Sequence, residues 1–125
     1  MRRLALILAV VMVVAPVTAE AMTVAQFLAK TRALKSKGLL AMGSPDIALL
    51  RDEVKTVGDA YRADILAARK AGRTPHSCPP PKGAPGAMTA KDFLAELEKT
   101  PRARQGMSMK AAFYGIMKRR YPCRA

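Results

Sequence analysis

The chain has 125 residues, with 22 Lys and Arg against 9 Asp and Glu, one His, two Cys and no Trp, for a formal net charge of +13. That length is one ordinary domain, which argues against a multidomain enzyme. One His and two Cys cannot close a tetrahedral zinc site without carboxylates, while half the residues are apolar, an ordinary globular composition.

The first predicted element is a leader. Arg2 and Arg3 form a short positive region, Leu4 to Ala15 is an unbroken apolar run, Pro16 breaks it, and Ala19-Glu20-Ala21 sets small residues around a cleavage point. The uncharged stretch from Leu4 to Ala19 is 16 residues, short of the ~20 that a membrane span needs. Residues 1–21 are therefore expected to be a cleavable signal peptide, with cleavage after Ala19 as the alternative. What remains is a single periplasmic domain, residues 22–125, with a charge of about +12.

Helical periodicity dominates that domain. Thr23 and Gln26 have capping-box spacing, and Val24, Phe27, Leu28 and Leu34 follow at helical steps to about Lys37, with Gly38 as the stop. Leu39-Leu40-Ala41-Met42 reads as a short apolar connection or a further helical turn, ending at Gly43. Ser44 caps a second helix, with Pro45 at its first position and Asp46 complementing its positive end. Ile47, Leu50, Val54, Val57, Tyr61 and Ile65 form a continuous apolar stripe along it, until Gly72 ends the helix. At about 26 residues it is expected to be the spine of the domain, and Gly58 at its middle to mark a close helix crossing or a bend.

Residues 72–87 hold a dense run of Pro and Gly, so neither helix nor central strand can persist there, and Pro79-Pro80-Pro81 favours a stiff extended connector. Two shorter helices are expected beyond it. Thr89 and Asp92 cap the first, Met88 and Phe93 staple across the cap, Phe93, Leu94 and Leu97 face inward, and Thr100-Pro101 ends it. Ser108 caps the last, which carries Ala112, Phe113, Ile116 and Met117 on its inner side. The expected fold is all-α, a small bundle of about four helices. Of the methionines beyond the leader, Met117 reads as core, whereas Met107 and Met109 are open.

Export decides how the cysteines read. In a reducing compartment Cys78 and Cys123 would be two thiols, but in an oxidising one a small domain with two cysteines most simply joins them. The bridge would close a loop worth roughly 4 kcal/mol in the chain-entropy model.

Catalysis has little support in these residues. His76 lies near Cys78, but a bridged cysteine has no thiolate to act as nucleophile. The acids at 46, 52, 53, 59, 64, 92, 96 and 98 lie on predicted helices among Lys and Arg, as caps and solvated faces would. No glycine-rich phosphate loop opens a capped helix. The expectation is therefore a non-enzyme without catalytic residues, metal or cofactor.

The basic excess is the remaining signal. Export and the lack of an aromatic-basic platform argue against nucleic acid as the partner and favour an acidic protein or an anionic envelope surface. The densest cluster is Lys110, Lys118, Arg119, Arg120 and Arg124, which reads either as solvated charge or as a partner-binding surface.

Cys78-Pro79-Pro80, a capped helix with Phe93 and Leu97, Pro101, Ala111-Ala112-Phe113 and a terminal Tyr121-Pro122-Cys123 together resemble the Rap/Tai family of exported immunity proteins. In that family a Cys-x-Pro element and a terminal Phe/Tyr-Pro-Cys bracket two helices. The resemblance spans about Cys78 to Cys123. It implies a small helical exported protein, often a homodimer, that binds and blocks a peptidoglycan amidase toxin delivered by type VI secretion. The chain departs from the family pattern in lacking a cysteine before Cys78, in its Pro/Gly-rich stretch after that residue, and in its positive charge. The alternative expectation is a small cationic helical envelope protein or periplasmic chaperone.

Overall fold

A computed structural model describes residues 21–124, and the expected leader, apart from Ala21, lies outside the described residues. Four α-helices make the fold: α1 (Val24–Lys37), α2 (Pro45–Lys70), α3 (Ala90–Glu98) and α4 (Met109–Arg120). A 3-10 helix, Gly38–Gly43, joins α1 to α2, and a shorter one, Arg102–Arg104, lies between α3 and α4. The described residues contain no strand, only an isolated antiparallel bridge between Thr23 and Ser108.

The helix limits follow from local chemistry. At α1 the Thr23 hydroxyl accepts from the Gln26 N–H at 3.2 Å, and the Gln26 side-chain oxygen accepts from the Thr23 N–H at 2.9 Å. Ser44 accepts from the Asp46 N–H at the start of α2, where Pro45 occupies the first helical position. Lys30 on α1 reaches Asp46 at 2.9 Å and joins the two helices there. Thr89 and Asp92 form the reciprocal cap of α3. Gly72 closes α2 with φ +67°, a conformation that a side chain would strain.

Helices α1 and α4 also cap one another. The N–H groups of Val24 and Ala25, which have no partner inside α1, donate to the carbonyls of Met107 (3.0 Å) and Gln105 (2.9 Å). In return the Met109 N–H, at the start of α4, donates to the Met22 carbonyl at 2.9 Å. Val24 and Met109 are both fully buried at this junction. Met109 is thus core, and Met107 packs against that core from its edge.

Packing is nearly all-against-all. Helix α1 lies against α2, α3 and α4, and α4 lies against α2 and α3, so α2 and α3 are the helix pair with the least contact. The core consists chiefly of Phe27 and Leu28 from α1, Val57, Tyr61 and Ile65 from α2, Phe93 and Leu97 from α3, and Phe113, Ile116 and Met117 from α4. The stripe on α2 is covered over its C-terminal half only, since Leu50 and Val54 remain partly exposed.

Gly58 departs from expectation. It is buried in the middle of α2, yet a Cβ built on it would meet no atom within 4 Å. No helix crosses there, so the glycine serves neither close packing nor a left-handed backbone. Gly58→Ala is therefore expected to raise stability by about 0.5–1 kcal/mol through helix propensity alone, measured as a higher denaturant midpoint at unchanged slope.

Candidate functional site

The Pro/Gly-rich connector folds back across the opening between α2 and α3 and is fixed there at several points. Cys78 is bridged to Cys123, just beyond α4. The Cys78 N–H also donates to the Tyr121 carbonyl at 2.8 Å, and the Tyr121 hydroxyl donates to the Gly86 carbonyl at 2.5 Å. Two turns at Gly83 and Gly86, with φ +79° and +83°, bend the segment toward α3. One cystine and one tyrosine thus hold both ends of a stretch that has no regular structure of its own.

Beneath the connector lies an aromatic layer. Tyr61, on α2, stacks edge-on against Phe113 at 5.3 Å and Tyr114 at 5.4 Å, and His76 meets Tyr114 at 5.3 Å. The Tyr61 hydroxyl is hydrogen-bonded to Ser77, which is wholly shielded from solvent, and the His76 Nδ1 stands 3.4 Å from the same Ser77 oxygen. Burial pushes the Tyr61 phenol above its ordinary range. On the outer side Tyr114 donates to Asp64, and burial together with that bond and the carboxylate's charge pushes its pKa up to about 12. Ser, His and Asp thus meet here without a nucleophile's geometry: Ser77 is sealed under the connector with its hydroxyl held by Tyr61, and Asp64 faces Tyr114 rather than His76.

Between α2, α3 and the connector a cleft of about 810 Å³ remains open. Phe27, Val54, Ile65, Phe93 and Phe113 line its interior, Pro79 to Pro81 form one wall, and Gly58 lies on the α2 side. Three cationic side chains, Arg62, Arg69 and Lys82, are the charged groups in its lining. Arg62 is held by Asp59 at 3.1 Å, whereas Arg69 and Lys82 have no ion pair among the described residues.

The basic cluster read from the sequence divides in the structure. Lys110 lies over the Tyr114 ring at 5.5 Å, and Lys118 is exposed on the last turn of α4. Arg119 and Arg120 turn toward α3: Arg120 stands 3.7 Å from Asp92, and the charges of both add to the Lys99 hydrogen bond that chiefly holds Glu96 below the usual carboxylate range. Arg124 is exposed near the bridge. The cluster read from the sequence is thus not one surface, since Arg119 and Arg120 are drawn to the acids of α3.

A second surface was not singled out in the sequence. In the 3-10 helix after α1, Ala41 is buried while Leu39, Leu40 and Met42 are 87%, 85% and 80% exposed. They form an apolar tip next to Lys35 and Lys37, the last basic residues of α1. No cluster of metal-ligating residues occurs among the described residues, and no helix among them is long and apolar enough to cross a membrane. No protein-family model, curated protein or solved structure matches the chain.

Two predictions follow the connector. Reducing the bridge, or replacing both cysteines by Ala, is expected to lower stability by about 2–5 kcal/mol, read from denaturant unfolding with and without reductant. Tyr114 binds its proton more tightly when folded than when unfolded. Its contribution is therefore intact below about pH 10 and is lost as pH rises toward 12, so thermal stability falls across that window and falls less steeply in Tyr114→Phe.

Proposed function

We propose that this chain is an exported, non-catalytic binding protein of the immunity type, which binds a peptidoglycan-cleaving amidase and blocks its active site. The observation that carries this reading is the pairing of the two elements on which the resemblance rests. Cys78-Pro79-Pro80 and Tyr121-Pro122-Cys123 are joined by the bridge and by the bond from the Cys78 N–H to the Tyr121 carbonyl, around α3 and α4. An oxidised cysteine pair fits an exported protein. Blocking an enzyme requires a complementary surface and no reacting group, which accords with a buried Ser77 and bridged cysteines.

The surface best suited to contact such an enzyme is the apolar tip. Three large side chains exposed together are unusual on a small soluble domain, and buried apolar anchors carry most of the energy of protein interfaces. The flanking Lys35 and Lys37 would supply the polar rim.

The test is direct inhibition. The protein, expressed with its own leader and purified with its bridge formed, is mixed with exported amidases encoded beside its gene, and peptidoglycan hydrolysis is followed. Stoichiometric loss of hydrolysis is expected, and a Leu39→Ser, Leu40→Ser double variant is expected to need at least ~10-fold more protein for the same inhibition. Unchanged hydrolysis at saturating protein, across those amidases, defeats the reading.

A further inference from the structure

We infer that the cleft between α2 and α3 is a binding site for a fatty acid, whose tail lies along the apolar interior and whose carboxylate is met by the cationic side chains of the lining. This stands apart from amidase binding, which the proposal above places on the tip.

Four observations converge on it. The cleft's volume, about 810 Å³, lies within the range of small-molecule sites. Its lining is apolar along the interior and carries three cationic side chains and no Asp or Glu, which selects an anion with a long apolar body. Gly58 is the third observation. The helix gives up stability by having glycine there, and the space that a side chain would take opens onto the cleft. Finally, the wall formed by Pro79 to Pro81 is held in place by the cystine and by Tyr121, so the site is formed before any ligand arrives.

The polar inventory of the lining separates a fatty acid from a peptide. A bound peptide brings an N–H and a C=O with every residue, and each needs a partner when buried. The side chains of Phe27, Val54, Ile65, Phe93 and Phe113 provide none, and the hydroxyls of Thr31, Tyr61, Thr89 and Tyr121 are already committed to Phe27, Ser77, Asp92 and Gly86. An acyl tail makes no such demand. Its one polar group is a carboxylate, and among the described residues Arg69 and Lys82 are the cations of the lining that have no ion pair.

The experiment is calorimetric titration of the purified, bridged protein with dodecanoate, decanoate and octanoate below their micellar concentrations, with neutral dodecyl maltoside as the uncharged comparison. Dodecanoate is expected to bind at one site, and affinity to fall about fourfold for each methylene removed. Arg69→Gln with Lys82→Gln is expected to weaken dodecanoate at least ~10-fold while leaving the helical circular dichroism unchanged. Gly58→Leu, which places a side chain in the cleft, is expected to abolish binding. Should that variant fail to fold, the double Gln variant and the chain-length series decide the matter. Absent dodecanoate binding, an affinity independent of chain length, equal binding of dodecyl maltoside, or dodecanoate binding that survives the double Gln substitution overturns the inference.

Discussion

The Cys78–Cys123 bridge holds an irregular segment, rich in proline and glycine, against the open side of the bundle. That segment buries few large apolar groups of its own, so its position depends on the tether and on two polar contacts, Tyr61 with Ser77 and Tyr121 with Gly86. The aromatic layer between α2 and α4 depends on the same tether in turn, because Ser77 and His76 lie immediately before the bridged cysteine. A small domain has little apolar burial to spare, and a covalent link is an effective way to order a segment that cannot pack itself.

Helix α2 is the longest element and the least covered. Its C-terminal half carries the buried Val57, Tyr61 and Ile65, but the side toward α3 faces the cleft and its N-terminal half leaves Leu50 and Val54 partly open. With 26 residues against 9 in α3, the two helices cannot cover one another along their length. The connector makes up part of that mismatch. The open cleft is therefore a geometric consequence of pairing a long spine with a short helix.

The sequence makes some of this plain and leaves the rest unseen. Ser44-Pro45-Asp46, Thr89 with Asp92, Gly38 and Gly72 mark helix limits because capping is local chemistry, readable within four residues. The bridge was readable because two cysteines allow one intramolecular pairing. The contacts hidden from such a reading are those between distant segments: Tyr61 with Ser77, Tyr114 with Asp64, and the mutual capping of α1 and α4. Gly58 was read as a close crossing or a bend because glycine in a helix usually answers to a neighbour or a kink. Its open surroundings depend on how little α2 and α3 touch, and nothing in the local pattern encodes that. The division of the basic cluster has a similar cause, since Asp92 and Glu96, which draw Arg119 and Arg120 aside, lie on a different helix.

The mutual capping of α1 and α4 governs when the fold can finish. Val24 and Ala25 find their acceptors at residues 107 and 105, so α1 stays incompletely satisfied until nearly the whole polypeptide has been made. Helix ends ordinarily fray, and their amides exchange hydrogen with water through small local openings. Here the Val24 amide is buried and bonded to the Met107 carbonyl across the junction, so its exchange is expected to be slower than that of an ordinary frayed helix end. The start of α1 is thereby tied to the segment that leads into α4 rather than left to fray.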